Sequence, residues 1–207
     1  MPQRSPWIYA VAGAAVAGLA AAAALAFVFV HDKSGGQTKT THANYNALPG
    51  IRRTKAPWAP EYQFLADRLL PLGLTTEPGH EGLGMHFHAH LDIFVNGKHV
   101  VVPALIGINA GAGWLTELHT HDARGVMHIE ARKPRDFILG QFVAVWGVFL
   151  NSRCIGAYCD GLKWYVDGKR QSGNPQDLLF KPHQEIALVV GNPPKKIPST
   201  YTFAPGE

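Results

Sequence analysis

From Met85 to Val95 the chain alternates without a break. Phe87, Ala89, Leu91, Ile93 and Val95 take one set of positions, and His86, His88, His90 and Asp92 take the other. Successive strand side chains point to opposite faces, so this stretch predicts a half-buried β-strand with an apolar face and an imidazole face. A second pair, His119 and His121, follows in Leu118-His119-Thr120-His121-Asp122. Seven of the eleven histidines lie between His86 and His128.

Around this strand the signals are those of a β-rich domain. Asn96-Gly97 is a strong hairpin signal, with a return strand expected over 98–103. Short strands are expected over 105–108, 114–121 and 126–131. The last places His128 and Glu130 on one face and Met127 and Ile129 on the other. A first helix is expected over 58–72, begun by Pro60 and ended by Pro71. A second is expected over 137–146, capped by Asp136 and stopped by Gly147. Leu162 to Lys169 repeats the outline of Leu91 to Lys98, and His183 to Val190 loosely matches His121 to Ile129. Either a worn duplication or two ordinary hairpins accounts for this. The expected class is mainly β, a sandwich or small barrel, with one or two short helices.

Ahead of the domain, Trp7 to Val30 is an uncharged apolar run of 24 residues, longer than the roughly 20 that cross a bilayer core. An N-terminal transmembrane anchor is therefore expected at 7–30, with a cleaved signal peptide as the competing reading. Arg4 precedes the run, while Asp32 and Lys33 nearly cancel after it. That bias places residues 1–6 in the cytoplasm and the C-terminal domain outside it, in a single-pass cell-membrane protein. Residues 31–56 read as a flexible linker and 57–207 as the extracytoplasmic domain. A net charge of +4 without a Lys/Arg block gives no nucleic-acid footprint. Cys154 and Cys159, close together in an oxidising compartment, are expected to pair, with metal-binding thiolates as the alternative.

Two imidazoles at i and i+2 on a strand stand about 6.5–7 Å apart at Cα and can share one ion at about 2.0–2.1 Å from nitrogen. Three in a row span about 13 Å, too far for one ion. Two of His86, His88 and His90 are thus expected to share a metal with His119 and His121. Asp122, His128 and Glu130 would stand behind the ligands and orient ring nitrogens. Copper or zinc is the expected ion, copper on the strength of the adjacent thioethers Met85 and Met127. A row of histidines without metal, sensing pH or merely exposed, is the competing explanation. His99 and His183 read as individual residues, and His80, His31 and His42 carry no signal. No Ser-His-Asp order or phosphate loop stands out. A membrane-anchored metal-handling or metal-sensing protein leads. A metal-dependent hydrolase, hydratase or oxidase is the alternative, and a structural module of the envelope the third reading.

His88 to Lys98, Leu118 to Asp122 and the segment 161–191 together resemble a family of uncharacterised exported or membrane-anchored bacterial proteins. That resemblance implies a bacterial envelope protein and no particular chemistry. Locally, His86-Phe87-His88 and Glu117-Leu118-His119 are similar to the zinc-ligand strands of α-carbonic anhydrases. There, His-x-His on one strand and a third histidine on the next hold zinc with one position open. The likeness implies ligands His86, His88 and His119. The chain departs from it in a shorter domain, a longer gap between the strands, and Ala89 where an aromatic residue is expected.

Overall fold

The computed structural model describes residues 44–77 and 83–207. The anchor expected at 7–30, most of the linker and the turn with His80 lie outside the described residues. Among the described residues no helix is long and apolar enough to cross a membrane.

The chain is mainly β with two short helices. In order, the elements are α1 (Leu65–Leu72), β1 (Thr76–Glu77), β2 (Met85–Val95), β3 (Lys98–Val100), β4 (Ile108–Asn109), β5 (Trp114–Thr116), β6 (Leu118–His119) and β7 (Val126–Ala131). Then come α2 (Leu139–Trp146), β8 (Lys163–Val166), β9 (Lys169–Arg170) and β10 (Glu185–Val190). The main sheet has the order β6-β7-β2-β10-β8-β9. β2 runs parallel to β10 and antiparallel to β7, which pairs only with its first half. β3 folds back on the second half of β2 through the expected turn, with Asn96 and Gly97 at φ 50° and 75°. Asp167 and Gly168 make the same left-handed turn between β8 and β9.

The apolar face predicted for β2 packs into the core, and the imidazole face, expected to be open, is covered as well at His88 and His90. Ala89, Leu91, Ile93, Met127, Ile129 and Leu118 are fully covered. Helix α2 is apolar on all sides and every one of its residues is buried, as such a helix must be. Its one polar side chain, Gln141, accepts from Ile138 N at 2.9 Å and donates to Leu72 O at 2.9 Å. That bond does the capping expected of Asp136, and the helix starts two residues later than predicted. Gly147 ends it at φ 79°, as expected.

Four other expectations are corrected. α1 begins at Leu65 rather than near Trp58, because Trp58 is a buried wedge set edge-on against Trp146 at 5.7 Å. Of the strand expected over 105–108, only Ile108 is in a strand; residues 105–107 form a turn, since Leu105 and Gly107 have φ of 63° and 71°, which no strand accommodates. The stretch 114–121 divides at Glu117. β5 joins β1 and β4 in a separate three-stranded sheet, while β6 joins the main sheet. Residues 44–56, read from composition as linker, pack through buried Tyr45, the paired bonds of Asn46 with Leu150, and a bridge from Arg52 to Val148. Cys154 and Cys159 form the expected disulfide.

Candidate metal centre

Register brings the histidines together. His88 stands opposite His128, and His128 opposite His119, across β2, β7 and β6. One step along, His86 stands opposite Glu130. His121 follows two residues after His119, just beyond the end of β6. These side chains share the face opposite the apolar core, as strand alternation requires.

Their nitrogens converge. His88 Nε2 lies 3.1 Å from both His86 Nε2 and His128 Nδ1. His119 Nε2 lies 3.2 Å from His121 Nε2. Four ligands held tetrahedrally at about 2.0–2.1 Å from an ion stand about 3.3–3.4 Å apart. The observed spacings therefore resemble the edges of a coordination shell. The five rings gather as two triads, His86, His88, His128 and His119, His121, His128, with ligand atoms in each triad within 4.8 Å of one another. Glu130 Oε1 lies 3.2 Å from His86 Nε2, 3.5 Å from His128 Nδ1 and 3.7 Å from His119 Nε2.

The rings are poised to ligate. His119 Nδ1 must donate to Thr116 O at 2.8 Å, because a carbonyl only accepts. That leaves the Nε2 lone pair turned toward His121 and Glu130, the orienting role a carbonyl partner plays for metal-bound imidazole. Burial, followed by the neighbouring His128 and His86, lowers the His88 pKa to about 4. Burial lowers His119 to about 3 against the opposing pull of Glu130. Both rings are neutral at physiological pH, the form that binds metal. The side chain of His86 is 40 % exposed while that of His119 is 0 %, so the cluster opens to solvent along one rim.

His90, expected as a possible third member, stands elsewhere. The parallel pairing of β2 with β10 sets it opposite Glu185. Its Nδ1 faces Glu185 Oε2 at 2.7 Å and its Nε2 donates to Arg124 O at 2.7 Å. Burial alone would lower its pKa, but these acceptors more than offset that and raise it. Burial raises Glu185, and nearby Asp92 adds to the rise. His90, Asp92 and Glu185 also lie within 4.8 Å of one another. With both nitrogens of His90 occupied and Asp92 engaged by His99 at 2.9 Å, this group is a proton-sharing network.

His128, assigned from sequence to an orienting role, is the ring shared by both triads. Glu130 sits against three of the rings. Asp122 sits apart, holding Arg124 at 2.7 Å on the surface. Met85 and Met127 point to the apolar side, with Met127 fully buried, so no thioether joins the cluster. The set implied by the carbonic anhydrase likeness is divided: His86 and His88 fall in one triad, His119 in the other. Comparison with family models, with curated proteins and with solved structures finds no match.

Proposed function

We propose that this protein is a membrane-anchored, extracytoplasmic transition-metal protein whose histidine cluster binds copper or zinc in metal handling or sensing. The observation that carries the metal reading is the convergence of imidazole nitrogens at 3.1–3.2 Å, along β2, between β2 and β7, and at the end of β6. Without an ion, rings at this spacing can share N–H···N hydrogen bonds, and the same lone pairs can turn to a metal that enters between them. An all-imidazole and carboxylate set suits Zn(II) and Cu(II), and without sulfur it has no special preference for Cu(I). The uncharged apolar run Trp7 to Val30 and the disulfide support an anchored, extracytoplasmic placement.

The exposed rim at His86 favours a second reading, a metal-dependent enzyme with a coordination position open to water or substrate. The full chain, purified without a histidine tag, is tested by elemental analysis and by titration with Zn(II) and Cu(II). Stoichiometric metal, reduced in His88→Ala with the fold kept, is the expected result. A chain that binds neither ion above background would move the cluster to a non-metal role.

A further inference from the structure

Seen from His128, the cluster has two nearly equivalent halves. His88 meets the His128 ring edge-on at 4.3 Å and 90°, and His121 meets it at 4.4 Å and 88°. His86 stacks on His128 at 5.9 Å and 28°, and His119 stacks at 5.1 Å and 18°. Within each half the two Nε2 atoms are 3.1 Å and 3.2 Å apart. One half is a His-x-His on β2, the other a His-x-His running off β6, and β7 between them supplies His128 and Glu130.

A single ion held by all five rings does not fit this arrangement. Ligands at about 2.0–2.1 Å from one ion are at most about 4.2 Å apart, even when directly opposed. The five nitrogens meet a 4.8 Å limit only as two separate triads. Glu130 completes the pattern: its Oε1 lies 3.2 Å from a nitrogen of one half and 3.7 Å from a nitrogen of the other. A carboxylate facing both halves is placed to bridge two cations and to offset part of their mutual repulsion.

We infer that the centre holds two transition-metal ions, one at His86 and His88 and one at His119 and His121, with Glu130 bridging and His128 between them. The inference rests on the metal reading above and adds the number of ions and the role of Glu130. Two ions held close together can clamp one oxygen-donor ligand between them, so the fitting exogenous ligand is a small oxyanion or a bridging hydroxide entering from the His86 rim.

The test uses the full chain and four variants. After equilibrium dialysis against Zn(II), the parent should retain two ions per chain. His88→Ala and His121→Ala should each retain one. Glu130→Gln should bind the first ion normally and the second at least tenfold more weakly. His86→Ala, on the exposed rim, replaces His88→Ala if that buried change impairs folding. With Cu(II), the paramagnetic signal should grow up to one equivalent and be attenuated by coupling at the second. In His121→Ala it should remain that of an isolated ion. One ion per chain, lost equally from both halves' variants, would overturn the two-ion arrangement and leave the metal reading intact. No ion bound to any form would overturn both.

Discussion

His88 and His90 are two residues apart on one strand and on the same face, yet their chemistry is opposite. His88 has lone pairs and no hydrogen-bonding oxygen among its close neighbours, and it meets His86 and His128 instead. His90 is held between a carboxylate and a carbonyl. His88→Ala should therefore remove metal from its half of the site at modest cost in stability. His90→Ala should leave the metal count unchanged but cost about 3–5 kcal/mol, because it strands the buried Glu185. Chemical denaturation alongside a zinc titration checks both; equal metal loss in the two variants would put His90 among the ligands. The pH dependence of the metal-free protein follows from the same rings. The unfolded chain protonates them near the ordinary value of 6.5, the folded chain only at about 4 for His88 and about 3 for His119. Stability should thus fall as pH drops below about 6.5, since the unfolded state then binds more protons. His90 has the opposite sign. Its raised pKa contributes stability below the unfolded value, and that is lost as pH rises through its folded value. In urea melts across this range, His90→Ala should lose the alkaline decline and keep the acid one.

At the scale of elements, the site depends on how short strands are held. β6 is two residues long, and its position is fixed by the turn before it: Thr116 N donates to Gly107 O at 2.9 Å, and Thr120 N to Ile106 O at 3.1 Å. A Cβ on Gly107, at φ 71°, would stand 2.4 Å from Leu118 O. Gly107→Ala should therefore cost about 1–3 kcal/mol and weaken zinc binding by His119 and His121 more than by His86 and His88. Zinc titration of this variant in a His88→Ala background, where only the β6 half remains, measures that loss; undiminished affinity there would show that β6 does not depend on the turn. Much of this was legible beforehand. Strict alternation identified the imidazole face of β2, and Val126 to Ala131 put His128 and Glu130 together. What alternation does not carry is register between strands. Only the pairing of β7 with residues 85–90 and of β10 with residues 90–95 decides that His86, not His90, stays with His88. The central place of His128 escaped for the same reason. It depends on β7 lying between β6 and β2, and the long excursion through residues 98–117, which separates β2 from β7 in the chain, gives no local sign of that.

Across the whole molecule, the metal centre and the fold's fastenings are separate. Trp58 and Trp146 join the segment before α1 to α2, with Trp146 Nε1 donating to Trp58 O at 3.0 Å. Arg68, fully buried, ties Glu61 and Pro49 to Val145 O. The disulfide closes a sequence separation of 5, so loop entropy gives it about 2 kcal/mol. Cys154→Ser with Cys159→Ser should lower stability by about that amount and leave zinc stoichiometry untouched; a change in stoichiometry would tie the bridge to the centre. Residues 44–52 belong to these fastenings, which composition did not reveal because Tyr45, Asn46 and Arg52 act singly rather than in a periodic pattern. On the proposed reading, the imidazole nitrogens converge in order to hold a transition metal. X-ray absorption at the zinc edge of the loaded, untagged chain tests it most directly. The expected result is a nitrogen and oxygen shell at about 2.0–2.1 Å with imidazole scattering from at least two rings per ion. A sulfur shell at about 2.3 Å, or a shell of oxygen alone, would contradict it.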